Sequence, residues 1–115
     1  MNDPVVIDPE LYRVLWENER VRVLEYQDAP GDATHLHGHP DSVMVTLSSF
    51  QRMISADGRD VPVQLEAGQV RWLDAQQHQG RNTGTTPTRA VFIELKEARP
   101  DAHAGPSTLG PSPRP

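Results

Sequence analysis

The chain has 115 residues, 36% of them hydrophobic, and contains no cysteine. This length suits one compact domain, and the lack of cysteine excludes disulfides, thiolate metal sites and cysteine nucleophiles. The formal net charge is −5 and Lys96 is the only lysine, so no basic cluster is available to bind a nucleic-acid backbone. The sequence has neither a basic and apolar leader nor a run of about 18 apolar residues, and we expect a cytoplasmic protein that does not enter a membrane.

Short β-type runs separated by turn residues fill most of the chain. Residues 12–17 and 21–26 are rich in β-branched and aromatic side chains and predict a hairpin. Asp57 and Gly58 predict a second hairpin turn, and Pro62 after it indicates an edge strand or a bulge. Further strands are predicted over 42–47, 51–55, 61–65, 70–73 and 90–95. Because no window shows a sustained helical period, the pattern favours an all-β sandwich or barrel.

The composition divides the chain into three parts. Residues 1–10 are expected to form an N-terminal arm, residues 11–97 the barrel, and residues 98–115 a tail. The tail is rich in proline, glycine and serine, and it predicts disorder because it offers few side chains to a core.

The segment 31–40, GDATHLHGHP, is the strongest chemical signal in the sequence. In an extended chain His35, His37 and His39 would project from one face at roughly 6.5 Å per step, so two of them can reach one metal ion. Imidazole nitrogens suit zinc, copper, iron and nickel. A third ligand must come from elsewhere, and His78 is the only other histidine before the tail. The same tract is compatible with adventitious metal binding or a pH-sensitive surface.

The spacing of these residues follows two motifs of a known family. A glycine followed after five residues by His-x-His occurs at Gly31, His37 and His39. A glycine, a histidine and, three residues beyond the histidine, an asparagine follow in the order Gly68, His78 and Asn82. Over residues 12–96 the chain therefore resembles the small single-domain cupins.

This resemblance implies a double-stranded β-helix, the jelly-roll barrel of cupins. It also implies a divalent transition metal ion, which could be iron, nickel, manganese, copper or zinc, bound by His37, His39 and His78. A homodimer formed through edge strands is a further expectation from the family.

The sequence departs from the family pattern at several positions. The glutamate of the first motif should fall at Val43 or Met44, or near Ser42, and none of these is a carboxylate. In the second motif Asp74 and Gln76 replace a proline and a glycine, and the gap before the histidine is one residue shorter.

A second ligand set, consisting of His35, His37 and Asp41, supplies a carboxylate but abandons the Gly31 spacing. We rank it lower and expect Asp41 to cap a turn or to orient a ligand.

Three functions agree with these motifs. The first is an enzyme acting on a small oxygenated organic molecule, of the dioxygenase, isomerase or lyase type, with His35 as general base beside the metal. The second is a non-catalytic module that binds a metal or small ligand, and the third is a metal-free structural barrel. The expected partners are a small molecule and a second copy of the chain.

Overall fold

A computed structural model describes residues 3–97 and 108–113 of the protein. Within this part the chain forms one short helix and nine strands, namely α1 (Pro4–Ile7), β1 (Tyr12–Glu17), β2 (Val21–Asp28), β3 (His37–His39), β4 (Ser42–Thr46), β5 (Phe50–Ala56), β6 (Arg59–Leu65), β7 (Val70–Leu73), β8 (Gln76–Asn82) and β9 (Thr88–Leu95). The strands pair antiparallel in two sheets, with the orders β1-β2-β9-β4-β7 and β3-β8-β5-β6. The predicted all-β class and jelly-roll architecture are confirmed. None of the described residues belong to a helix long and apolar enough to cross a membrane.

Both predicted hairpins are present. The turn between β1 and β2 is held by the Asn18 side chain, whose Oδ1 accepts hydrogen bonds from the backbone N–H groups of Arg20 and Val21 at 2.8 and 2.9 Å. Asp57 and Gly58 join β5 to β6 with φ angles of 50° and 75°, the left-handed pair that a tight type I′ turn requires. Pro62 lies on β6, the edge strand of its sheet, as its missing N–H predicted.

The core lies between the inward faces of the two sheets. Alternate residues of β4 and β9 are buried, as the period of two predicted. The buried apolar cluster is made of Tyr12, Leu24, Tyr26, Met44, Phe50, Leu65, Leu73, Ala90 and Phe92. β9 lies in the middle of the five-stranded sheet.

Strand β8 was not predicted, because none of the predicted strands covers residues 76–82. Its sequence, QQHQGRN, has no β-branched residue, and its inward positions are the polar or small residues His78, Gly80 and Asn82. The strand forms because β5 and β3 supply backbone partners on its two sides. Because the buried positions of β8 hold polar or small side chains, the strand shows no hydrophobic alternation.

The C-terminal tail differs from its prediction where the structure describes it. Residues 108–113 lie against the barrel, and Leu109 is 9% exposed. The backbone N–H of Ser112 donates to the Trp72 carbonyl at 2.8 Å. For this segment the expectation of disorder needs correction, because one leucine and a few amide groups find partners on the barrel. The other positions of the predicted tail, 98–107, 114 and 115, lie outside the described residues.

A buried ion pair connects the two sheets inside the barrel. Arg52 of β5 donates to Asp28 of β2 at 2.8 Å, with side-chain exposures of 7% and 0%. The same guanidinium also donates to the hydroxyl groups of Tyr26 and Thr88. Because each group is paired and hydrogen-bonded, removal of one leaves the other charged in an apolar interior.

We predict that Arg52→Met lowers the free energy of unfolding by about 3–5 kcal/mol, because Asp28 becomes an unpaired buried carboxylate. Urea unfolding measures the change. The matched control is Arg20→Met, which removes a surface pair with Glu97 and should lower stability by less than about 1 kcal/mol. Equal losses in the two variants would contradict the assignment.

Candidate metal centre

Two paired strands bring three histidines together. In the antiparallel ladder between β3 and β8, His37 lies directly opposite His78. His39 is two residues from His37 and projects to the same buried face of β3. The ring centroids are 4.7, 4.9 and 5.2 Å apart, and one ligand nitrogen from each ring lies within 4.8 Å of the others. The three histidines predicted as metal ligands thus form one buried cluster.

Each ring is held through its Nδ1 atom. The Nδ1 of His37 lies 2.8 Å from the backbone carbonyl of His35, and that of His78 lies 2.6 Å from Oε1 of Gln76. The Nδ1 of His39 lies 3.0 Å from Oε2 of Glu94. All three oxygens can only accept, so each Nδ1 carries a proton, and in the neutral ring Nε2 then keeps its lone pair. This is the tautomer that metal-binding histidines use.

The Nε2 atom of His39 is buried and has no hydrogen-bond partner among the described residues. A buried polar atom of this kind is rare, because it has lost its hydration without gaining a partner. A metal ion would satisfy this lone pair together with those of His37 and His78. The donor set therefore fits a divalent transition metal.

Burial keeps two of the three rings, His37 and His78, uncharged at neutral pH. Loss of hydration, with repulsion from neighbouring His39, lowers the pKa of His37 to about 4. The same two causes, with a further contribution from His37, lower the pKa of His78 to about 2. Neutral imidazole binds metals whereas imidazolium does not, so these two rings are competent to bind an ion at neutral pH.

Aromatic side chains enclose the cluster. Tyr12 is buried, and its hydroxyl lies 3.3 Å from Nε2 of His37, to which it donates in the tautomer described above. Burial raises the pKa of Tyr12 well above its usual value, so the phenol stays protonated. Phe92 stacks on His39 with a centroid distance of 5.3 Å. Tyr12 places one neutral donor at the centre of the cluster.

Behind His39, a chain of charged groups extends to the helix. Glu94, the partner of His39, is also bound by Arg22 at 2.9 Å, and Arg22 in turn donates to Asp3 at 2.9 Å. Asp3 caps α1 by accepting from the Val5 N–H. The buried carboxylate of Glu94 is thereby paired with an arginine, as buried charges in proteins usually are.

The position of the family glutamate holds no carboxylate in the folded chain. Met44 of β4 lines the same cavity as His37 and His78. The carboxylate of the site comes instead from Glu94 of β9, which binds the outer nitrogen of His39. A fourth protein ligand of the family type is therefore absent from the described residues.

The structure does not bring His35 into the cluster. Its side chain is 80% exposed, and Nδ1 lies 2.8 Å from Oδ1 of Asp8. The hydrogen bond to Asp8, followed by the charge of that carboxylate, raises the pKa of His35. A general base must reach the reacting group, and the geometry gives no support to this role, which stays a prediction. Only the backbone carbonyl of His35 contacts the cluster.

The second ligand set is not assembled either. The Asp41 side chain accepts from the backbone N–H of Ala75 at 2.8 Å, between β7 and β8. This is the turn-capping position that the sequence favoured.

A small cavity lies against the histidines. Its volume is about 40 Å³, enough for roughly one water molecule at the liquid volume per molecule. The residues that line it are Tyr12, Tyr26, Thr34, His37, Met44, Arg52, Ile54, Leu73, His78, Gly80, Thr88, Ala90, Phe92 and Pro111. A larger open cavity, of about 820 Å³, borders His39 from outside, but the His39 side chain is 0% exposed and does not open to it.

Three contributing residues were missed in the sequence. Tyr12 and Glu94 both occupy inward positions of their strands, and Gln76 was noted only as a departure from a motif. A signal for Glu94 existed, since it shares the parity of the buried Ala90 and Phe92. A charged residue on the buried face of an apolar strand indicates a polar partner inside.

Comparison with known proteins identifies the fold. Neither a protein-family model nor a curated protein matches the chain. Among solved structures, a cupin domain from Bordetella pertussis Tohama I is 29% identical, with a TM-score of 0.70 over 76% of this chain and 93% of that one. An uncharacterised Klebsiella pneumoniae protein with a double-stranded β-helix domain is 20% identical, with a TM-score of 0.60 over 74% and 75% of the two chains. A predicted oxalate decarboxylase from Thermotoga maritima is 24% identical, with a TM-score of 0.52 over 73% and 78%.

Two antiparallel sheets wrapped around a buried cluster define a double-stranded β-helix protein. The likeness to the Bordetella domain and the spacing of the histidines narrow the class of protein further. The chain has the fold of a small cupin domain, and these findings support its place among the small domains of the cupin superfamily.

We predict that the metal-free protein loses stability as the pH falls from about 7 to 5. The unfolded chain protonates His37 and His78 near pH 6.5, whereas the folded chain resists protonation down to about 4 and about 2. Between these limits the unfolded state binds more protons, and each histidine contributes a loss of up to about 1.4 kcal/mol per pH unit. Urea unfolding at a series of pH values measures the slope. The double variant His37→Asn, His78→Asn should show a shallower slope, and an unchanged slope would contradict the prediction.

Proposed function

We propose that the protein binds one divalent transition metal ion through the Nε2 atoms of His37, His39 and His78. The observation that carries this proposal is the buried, unpartnered Nε2 of His39. A structural barrel without a metal would gain nothing from leaving this atom unsatisfied. The neutral state of the other two rings supports the same conclusion.

The surrounding side chains have separate roles in this proposal. Glu94 and Gln76 keep the proton on the outer nitrogen of His39 and His78, and this keeps the inner nitrogens available. Three neutral ligands leave the ion its full positive charge, so it can polarise a bound carbonyl, enolate or water. Tyr12, whose present acceptor is Nε2 of His37, would be left to donate to an oxygen of a molecule bound beside it.

We further propose that the protein is an enzyme that acts on a small oxygenated organic molecule, by dioxygenase, isomerase or lyase chemistry. Three protein ligands leave coordination positions open, as in catalytic metal sites. The neutral Tyr12 hydroxyl offers a hydrogen bond to a substrate oxygen. The Thermotoga neighbour is described as a predicted oxalate decarboxylase, but its identity of 24% carries the fold alone.

One observation favours a second candidate, a non-catalytic metal-binding module. The cavity beside the histidines, of about 40 Å³, has room for the ion's own water rather than for an organic molecule. Turnover therefore requires a further opening of the barrel, whereas metal binding alone does not.

We predict that protein purified without a histidine tag retains or takes up one equivalent of metal per chain. His37→Ala and His78→Ala should abolish stoichiometric binding, because two imidazoles hold an ion far more weakly than three. Elemental analysis after dialysis measures the content, and a metal-dependent rise in melting temperature reports binding independently. His35→Ala is the matched control and should keep its metal. Well under one equivalent in the unmodified protein, with no thermal shift, would contradict the proposal.

We also propose a homodimer that pairs through β1. This strand is the edge of the five-stranded sheet, and Val14, Leu15 and Trp16 are 40, 44 and 57% exposed. An exposed apolar edge is a surface for strand pairing. In an antiparallel arrangement centred on Leu15, Arg13 of one copy would face Glu17 of the other, so a second copy complements the strand.

We predict that Trp16→Lys converts this dimer to a monomer, because it places a charge in the apolar contact. Sedimentation velocity at micromolar concentration measures the mass. Val6→Lys, at a residue 75% exposed on α1, should leave the dimer intact. A monomeric unmodified protein, or a dimer that survives Trp16→Lys, would exclude this interface.

A further inference from the structure

Residues 108–113, named here the C-terminal strap, cross one end of the barrel. The side-chain amide of Gln76 donates to the Thr108 carbonyl and its Oε1 accepts from the Gly110 N–H, both at 2.8 Å. The Thr108 N–H donates to Asp74 at 3.1 Å. These bonds hold the strap over the start of β8.

The strap also contacts the next two strands of the β8 sheet, β5 and β6. Gly110 is buried, and a Cβ atom built on it would lie 3.6 to 3.9 Å from side-chain atoms of Val63 and Ile54. Leu109 is buried beside it at 9% exposure. The strap therefore joins β7 of one sheet to β8, β5 and β6 of the other.

One strap residue reaches the site itself. Pro111 lines the cavity of about 40 Å³ together with His37 and His78. The side chain of Gln76 connects the two features more directly, because its Oε1 atom lies 2.6 Å from His78 Nδ1 and 2.8 Å from the Gly110 nitrogen. The amide that orients one candidate ligand is thus the same amide that holds the strap.

We propose that the C-terminal strap is the lid of the histidine cavity. When the strap is closed, the cavity of about 40 Å³ has room only for the ion and its water. Released, it opens a path for an organic molecule past Pro111 to His37 and His78, and it removes one of the two partners of Gln76 Oε1. The inference rests on the proposed metal site for its ligand, but the closure itself is a property of the barrel and can be tested without metal.

The first test measures metal release in the full-length protein. Leu109→Asp should release the strap, because it places a charged carboxylate at a buried position, and a chelator should then remove bound Co²⁺ at least about tenfold faster. Leu47→Asp is the matched control, since Leu47 is 45% exposed and outside the strap. It should show the unmodified rate. Gly110→Pro provides a second variant, because it removes the N–H that Gln76 accepts and cannot adopt the φ of +76°.

The second test uses the metal-free protein. Diethyl pyrocarbonate modifies unprotonated imidazoles that solvent can reach, and peptide mass mapping locates the product. His37 and His78 should be protected in the unmodified protein and in Leu47→Asp, and modified in both strap variants, while exposed His35 reacts in all four proteins.

The two tests separate the two proposals. If Co²⁺ does not bind but the strap variants expose His37 and His78, the metal site is wrong and the lid is supported. If Co²⁺ binds, and amide exchange at position 109 shows the strap of Leu109→Asp released while chelation and modification rates remain unchanged, the lid is wrong and the metal site stands.

Discussion

The antiparallel pairing of β3 with β8 is the contact on which the histidine cluster depends. Its ladder places His37 opposite His78 and holds the three-residue strand β3 at the edge of its sheet. β8 is itself fixed by β5, so all three ligand candidates project from paired backbone rather than from loops. A slip of one residue would turn His37 and His39 outward, because side chains alternate across a strand. The register of one short ladder therefore decides whether a site exists.

The polar interior of the barrel is unusual for a domain this small, and it is arranged so that nearly every group is paired. Asp28 forms an ion pair with Arg52, and Glu94 forms a second one with Arg22. Such pairs add little stability beyond what apolar residues of similar size would supply. They do fix orientation, and in this chain Glu94 fixes the ring of His39. The buried ion pairs therefore orient side chains more than they stabilise the fold.

Much of this architecture could be predicted from the sequence, and the failures have physical reasons. Alternation on β4 and β9 and the Asp57–Gly58 turn follow local rules, and these elements were placed correctly. β8 was not predicted because its buried side chains are polar or small, so its sequence shows no hydrophobic periodicity.

The candidate site was predicted in part for a related reason. The spacing of His37 and His39 identifies a shared face, and family motifs supplied His78. The contributions of Tyr12 and Glu94 could not be read from local sequence, because each depends on the pairing of strands far apart in the chain. His35 shares the spacing of its neighbours but lies outside β3, so the alternation of side chains along a strand does not apply to it. The strap was missed because Leu109 and backbone amides hold it, and composition does not reveal backbone partners.

The three acceptors behind the histidines are chemically different. His37 donates to a peptide carbonyl, His78 to a side-chain amide and His39 to a carboxylate. An anionic acceptor increases the electron density of the imidazole it binds more than a neutral one does. His39 would therefore be the strongest donor of the three, and an ion held by this set would be electronically asymmetric. The charge of Glu94 would thereby act on the ion through the imidazole of His39, although the carboxylate itself would not hold the ion.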